Sequence, residues 1–253
     1  MTNILHCLEN QVYDHNSLEV ILIEDKGGTE AGKNLTKKFS SLNISYFAPE
    51  KNWGKMGYMR NFSLSKSKGE IVLFLDDDTT ILDKFFVQKL AILFERDPKL
   101  MAIIPKGNSS YSLLKNRYSY HDPYFFSNRC VAYRRRCLID LGGFDNKFIG
   151  QEDVELVIRF LFKGFKYLKT EELQYLHPPF IVRNYNKPKA VGFSFARSKY
   201  PPISKLTLFL NGCRWLPKIV YPSYKNIQMT KFALGFFVGF IHGLKNGKKA
   251  TYV

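Results

Sequence analysis

From residue 181 to its end at 253 the chain carries no aspartate or glutamate, against thirteen lysines and arginines. The first 180 residues hold 25 basic and 22 acidic groups, so they contribute only +3 of the net +16. Basicity thus belongs to the tail, where it suits anionic lipid, nucleic acid or an acidic glycan; charge sign alone does not choose among them. No recognisable nucleic-acid motif accompanies it, which argues against DNA or RNA as a partner. The four cysteines, Cys7, Cys130, Cys137 and Cys213, lack the paired spacing of a zinc site. Nothing resembles a secretory signal, so a reducing cytoplasmic setting is expected. Long apolar runs are scarce as well. Residues 232–244, apolar except for His242, reach only about 20 Å at 1.5 Å per helical residue. That is short of the roughly 30 Å hydrocarbon core, and no membrane span is expected.

With 45% hydrophobic residues, 253 residues can bury the core of one large domain, or of a domain with an appendage. The first half alternates strand and helix. Residues 18–24 (LEVILIE), 44–47 and 71–75 read as strands, and 32–39 and 56–66 as helices. Phe85, Phe86, Leu90, Leu93 and Phe94 recur at helical spacing before a further strand at 101–105. This alternation argues for a parallel sheet with helices on both faces. Over 106–129 the pattern dissolves into Asn, Ser, Tyr and His, a loop or extended excursion of the kind that often contacts substrate. Order resumes at 130–133, with a helix over 134–141 and another over 153–163, stopped by Gly164. In the second of these, Val154, Leu156, Val157, Ile158, Phe160, Leu161 and Phe162 point almost everywhere, which predicts a deeply buried helix.

Two acidic groups stand out at element ends. Asp76, Asp77 and Asp78 follow the apolar run of 71–75, which carries them to the carboxyl edge of a sheet, where open α/β folds bind ligands. Oxygen ligation suits Mg2+ or Mn2+ with a phosphorylated substrate. An Asp-rich turn capping a helix near Leu82 and Asp83 is the competing reading. The pair Glu152 and Asp153 opens the second of the later helices, where simple capping would equally favour carboxylates.

The ordered segments LEVILIED, NWGKMGYMRN, GEIVLFLDDD and NRCVAYRRRCLIDLGGFDNKFIGQEDVELVIRFLFKG together resemble glycosyltransferase family 2, over roughly residues 4–180. The resemblance implies an inverting enzyme of the GT-A fold, an α/β Rossmann-like, mixed and mainly parallel sheet with flanking helices. It assigns Asp25 to the donor's nucleobase, a carboxylate suiting the imide N–H of uracil or thymine; a turn-forming role before Gly27 and Gly28 competes. Arg60 falls near the ribose and pyrophosphate, against the alternative of a solvated helix arginine. The triplet matches the D-x-D signature: Asp76 toward the ribose or the metal, Asp78 on the metal, and Asp77 supporting either. His177 sits where many members complete the metal site, although a His beside Pro178 and Pro179 is as often structural. Asp153 matches the catalytic base, Glu152 an orienting neighbour, and Asp145 a structural residue of the Gly142-Gly143-Phe144-Asp145 turn.

Two departures are visible. The usual first apolar strand is missing: Ile4, Leu5, Leu8 and Val12 lie on one helical face instead. The loop after Asp25 reads Lys26-Gly27-Gly28-Thr29, adding a positive charge where members usually have small polar residues. The expected organisation is a nucleotide-sugar half over 1–105, an acceptor-binding and catalytic half over 106–180, and a basic, partly helical extension over 181–253. The expected function is a metal-dependent (Mn2+ or Mg2+) hexosyltransferase using a nucleotide sugar, UDP-linked, on a glycan or lipid-linked acceptor in surface polysaccharide synthesis. A catalytically incomplete GT-A-like binding or scaffold module at the membrane is the alternative. In the tail, Gly235, Gly239 and Gly243 line one helical face. That row would admit a second helix, whether from a homo-oligomer or the same chain. Lys231, Lys245, Lys248 and Lys249 flank a Phe-rich face, which suits an interfacial helix on anionic lipid. The expected location is therefore the cytoplasm, peripheral on the inner membrane face.

Overall fold

The computed structural model describes residues 1–51, 54–108, 123–178, 182 and 184–245. Trp53, Pro179, Lys248, Lys249 and most of the expected 106–129 excursion lie outside the described residues. The chain divides into two compact units. One comprises Met1–Trp53, Tyr58–Phe144 and Asp153–Pro179; the other comprises Gly54–Gly57, Asp145–Glu152 and Phe180–Val253. The halves expected over 1–105 and 106–180 therefore share one unit, and short segments of both enter the second.

The first unit opens on helix α1 (Thr2–Glu9), which buries Ile4, Leu5 and Leu8 at helical spacing. Strands β1 (Glu19–Ile23) and β2 (Asn43–Phe47) pair in parallel across helix α2 (Glu30–Lys38). Thr29 caps that helix by accepting from the Gly32 N–H, satisfying one of its orphan donors. Helix α3 (Met56–Lys66) leads to β3 (Ile71–Leu75), and α4 (Phe86–Arg96) to β4 (Leu100–Asn108). Next come β5 (Cys130–Arg134), α5 (Arg135–Asp140), α6 (Glu152–Phe162) and β6 (Lys166–Leu176). β1 and β2 form a sheet of their own, and the other strands a second sheet in the order β3-β5-β4-β6.

The α/β alternation is as expected, but the pairing is mixed. β4 and β6 are parallel, while β5 runs antiparallel to both β3 and β4. All five residues of β5 are buried, so it forms the spine of the larger sheet, with Tyr133 packed against Phe74, Phe126 and Phe160. Strand β4 runs on to Asn108, three residues past its expected end, because β6 supplies a partner there. Helix α6 is buried on one side only: Leu156, Val157 and Phe160 are inside, whereas Leu161 and Phe162 are 48% and 71% exposed. The expectation of a helix buried all round is corrected; two large apolar residues at its C-terminal end face solvent.

The second unit contains α7 (Asn186–Ala196), α8 (Pro202–Cys213), a 3-10 turn (Leu216–Val220) and α9 (Tyr224–Leu244). Ser223 caps α9 by accepting from the Asn226 N–H, so the helix starts eight residues before the expected 232 and is 21 residues long. By length and composition alone such a helix could cross a membrane. Its glycine row, however, is already occupied. A Cβ at Gly239 would stand 2.0 Å from the Lys189 carbonyl oxygen, and those at Gly235 and Gly243 would meet Pro188 and Ala196. Gly192 of α7 returns the contact, facing the Phe236 carbonyl. The row thus serves the approach of α7 within the chain, which removes it as a surface for pairing two copies. Gly239→Val is expected to destabilise the unit by about 3 kcal/mol, while Leu234→Ala on the exposed side shifts stability by only about 0.5 kcal/mol. Urea unfolding of both variants measures the difference.

Candidate active site

Strand β3 ends at Leu75 and delivers Asp76, whose N–H donates to the Arg129 carbonyl (3.2 Å). The turn then closes with the Thr79 N–H on the Asp76 carbonyl, and the buried Thr79 hydroxyl donates to the same Arg129 carbonyl at 2.7 Å. Helix α4 begins only at Phe86, and Asp83 is the residue whose carboxylate accepts from the Phe85 N–H. The triplet therefore does not cap a helix, and that reading falls away.

Against the triplet lies His177. Strand β6 carries a bulge at residues 171–173, since Pro105 faces Thr170 and Lys106 faces Gln174. The chain then pairs Leu176 with Thr80 through two 2.9 Å hydrogen bonds, and the His177 N–H donates to the Asn108 carbonyl. The imidazole Nε2 stands 3.0 Å from an Asp78 carboxylate oxygen and 3.7 Å from one of Asp76. One ligand atom from each of the three side chains lies within 4.8 Å of the others. On the far side of the ring, Nδ1 is 2.6 Å from the Pro178 carbonyl oxygen, which can only accept, so Nδ1 carries the proton. In the neutral ring Nε2 is then a bare lone pair aimed at carboxylate oxygens. Either a proton or a cation must sit between them, and this donor arrangement is that of a metal-ligating histidine held by a carbonyl behind it.

Arg60 of α3 reaches this cluster, its guanidinium 3.4 Å from Asp76 and 5.7 Å above the Phe144 ring. Burial pushes the Asp76 carboxyl up, but the hydrogen bond from His177 and the charges of Arg60, His177 and Arg129 outweigh it and hold the group below the ordinary aspartate range. Asn61, which the sequence did not single out, grips the next turn: it donates to the Phe144 carbonyl and accepts from the Phe144 N–H, both at 2.8 Å. Gly143 makes that possible, with φ of +70° and no room for a Cβ, which would meet the Asn61 side chain at 2.3 Å. Arg159 of α6 ties down the same turn through the Leu141 and Gly143 carbonyls while paired with the buried Glu155. Asp145 accepts from the Lys147 N–H as part of the turn that follows.

Asp153, the second residue of α6, accepts from the Val154 N–H at 2.8 Å and from the Asn128 N–H at 3.3 Å. Asn128 and Arg129 are consecutive, so one short segment touches both the triplet and Asp153. This link joins Asp76 and Asp153, which lie 77 positions apart in the chain. The segment also contains two buried polar side chains with no hydrogen-bond partner among the described residues, the Ser127 hydroxyl and the Asn128 amide. Such groups are costly unless something pairs with them, and nothing in their sequence context marks them. Glu152 is buried and belongs to the second unit. Just before it, Gln151 holds a left-handed φ of 55°, a conformation that concentrates at functional sites.

Asp25 follows β1 and is half-buried, with one carboxylate oxygen accepting from the Lys26 N–H. Its neighbour Glu24 is the structural residue there, accepting from the Thr29 N–H and hydroxyl and from the Tyr46 hydroxyl. Asp77 is exposed.

The mixed sheet, the acidic turn after β3 and the aspartate at the head of α6 define a GT-A glycosyltransferase fold, and residues 1–145 match glycosyl transferase family 2. The chain belongs to that family. Among individual proteins, it is similar to the poly(ribitol-phosphate) beta-N-acetylglucosaminyltransferase TarS of Staphylococcus aureus, 28% identical over 107 residues, which are 42% of this chain and 19% of TarS. The O-antigen chain rhamnosyltransferase RfbN of Salmonella typhimurium is 23% identical over an alignment covering 94% of this chain and 84% of RfbN. Solved structures agree on the fold. TarS in complex with UDP superposes with a TM-score of 0.60 at 19% identity, covering 96% of this chain and 76% of that one. The mannosyltransferase PcManGT of Pyrobaculum calidifontis, solved with GDP-Man and Mn2+, gives 0.62 at 16%, covering 95% and 81%.

Proposed function

We propose that the chain is a metal-dependent inverting glycosyltransferase, moving a sugar from a nucleotide-sugar donor, uridine-linked, to a hydroxyl of a glycan or lipid-linked acceptor in surface polysaccharide synthesis. The observation that carries the reading is the convergence of His177 Nε2 with the Asp76 and Asp78 carboxylates beside Arg60. Asp78, Asp76 and His177 would hold Mn2+ or Mg2+, which supplies Lewis acidity to the departing diphosphate. Arg60 neutralises the same leaving group, and Asp25 accepts from the nucleobase imide. Asp77, which is exposed, supports its neighbours. On the other face, Asp153 takes the proton of the acceptor hydroxyl as the new carbon–oxygen bond forms at the anomeric carbon and the bond to phosphate breaks. Glu152 orients that base. Asn128 offers its unpaired amide to the acceptor, so Asn128→Ala should raise the acceptor KM about tenfold and leave donor hydrolysis unchanged.

UDP bound to TarS, and the names of TarS and RfbN, support donor class and pathway type. Hydrolysis of a panel of UDP-, GDP- and dTDP-sugars, with Mn2+ and with chelator, tests the reading: turnover of none of them would sink it. One observation favours a second reading, a non-catalytic GT-A-like module. Strands β1 and β2, which lead into the Asp25 loop, are hydrogen-bonded to no other described strand. Calorimetry separates the two, since a scaffold would bind neither nucleotide nor metal.

A further inference from the structure

The outer side of α8 is apolar where a solvated helix should be polar. Ile203, Leu206 and Leu210 recur at i, i+3 and i+7 and are 70%, 51% and 59% exposed. None of the twelve residues of this helix is buried. Its inner side is accounted for: Phe209 packs on Phe237 and Phe240 of α9, and Gly212 abuts Phe236. The 3-10 turn that follows and the residue after it add Ile219, Val220 and Tyr221, each more than half exposed. An amphipathic helix buries its apolar stripe against something, and here the stripe points away from the chain's own core.

Charge identifies the occupant. Lys199, Arg214 and Lys218, which flank the helix and enter the turn after it in sequence, are exposed, and Lys225 lies 5.5 Å over the Trp215 ring. No carboxylate side chain occurs anywhere between 181 and 253. A protein partner of ordinary surface would meet both signs of charge. An apolar stripe on a segment whose charged side chains are all cationic, followed in sequence by Trp215 and Tyr221, has the composition of a helix lying in the plane of an anionic bilayer surface. We infer that α8 and the 3-10 turn dock the second unit on anionic lipid, with Ile203, Leu206 and Leu210 inserted among the acyl chains and the lysines at headgroup level. The long α9 is the support rather than the anchor, because its glycine face is committed to α7. The inference goes beyond the transfer reading and does not depend on it, since its readout is partition rather than turnover.

Co-sedimentation of the whole chain with vesicles tests it, using phosphatidylcholine alone and phosphatidylcholine mixed with phosphatidylglycerol, at low and high salt. Binding is expected on the anionic vesicles and should weaken with salt. The triple variant Ile203→Ser, Leu206→Ser, Leu210→Ser should lose at least about tenfold in partition while keeping the same unfolding midpoint, because these side chains are exposed in the fold. The pair Lys199→Glu and Lys218→Glu should lose about tenfold on anionic vesicles and be indistinguishable from the parent on phosphatidylcholine. Three results overturn the proposal. The triple variant binds as well as the parent, the parent resists alkaline carbonate extraction as a spanning protein does, or the parent is a dimer without lipid that the triple variant turns into a monomer.

Discussion

Asp153→Asn should lower sugar transfer by about 10²- to 10⁴-fold, the range a positioned general base contributes, with donor affinity unchanged. The substitution keeps the shape and leaves one oxygen, which can still accept from the Val154 N–H; the 3.3 Å contact of the other carboxylate oxygen with the Asn128 N–H is lost, and the shorter bond should keep the head of α6 in place. What disappears is a lone pair basic enough to take the acceptor proton. Donor hydrolysis and nucleotide calorimetry should be much less affected than transfer, because the triplet, His177 and Arg60 are untouched. Glu152→Gln is the comparison. Glu152 is buried, and on the proposed orienting role its loss should appear as a smaller fall in kcat with the pH profile retained. Equal transfer by Asp153→Asn and the parent would remove the base assignment and leave Asp153 as a helix-head residue.

Asp78→Ala should abolish metal-stimulated turnover, with a loss on the order of 10²- to 10³-fold, and should remove Mn2+ affinity measured directly by calorimetry. The reason is geometric. Asp78 offers the oxygen nearest His177 Nε2, at 3.0 Å, whereas Asp76 already shares its carboxylate with Arg60. His177→Ala takes away the other side of the cluster and should weaken metal binding about 10- to 100-fold. If the cluster holds a metal only in the folded chain, as proposed, Mn2+ should also raise the parent's unfolding midpoint, by about 2.7 kcal/mol of stability at a hundredfold excess over Kd. Asp78→Ala should show no such gain, and His177→Ala only a reduced one. Undiminished Mn2+ affinity in Asp78→Ala would mean that the three side chains pair through a proton on His177 and hold no ion.

The fold was legible wherever the hydrophobic period was strong. Ile71–Leu75 stands where the pattern puts it, and Leu90, Leu93 and Phe94 lie on a helix as their spacing requires, although that helix starts at Phe86 rather than near Leu82 and Asp83. β6 was not, for a physical reason. Its sequence KYLKTEELQYL reads as charged because one face is open to solvent, and the bulge at 171–173 breaks the alternation of its buried residues Thr170, Leu173 and Tyr175. α9 was read short because Gln228 and Thr230 interrupt its apolar run, yet both are buried: Gln228 accepts from the Val182 N–H and Thr230 donates to the Trp215 carbonyl. Satisfied polar groups of this kind count as core in the folded unit and as loop in a hydropathy pattern.

By itself the sequence determined the family, the strand that ends in the aspartates, and the segregation of charge into an acid-free tail, because those are local patterns of residue type. Only the tertiary structure decided what the patterns face. It set His177 Nε2 against Asp78 with a proton-bearing Nδ1 behind it, and it joined Asp76 to Asp153 through the two residues Asn128 and Arg129. It also turned the glycine row inward onto α7 and left Ile203, Leu206 and Leu210 of α8 outward. Each outcome depends on which elements meet across long separations in the chain, and side-chain period carries no information about that partner.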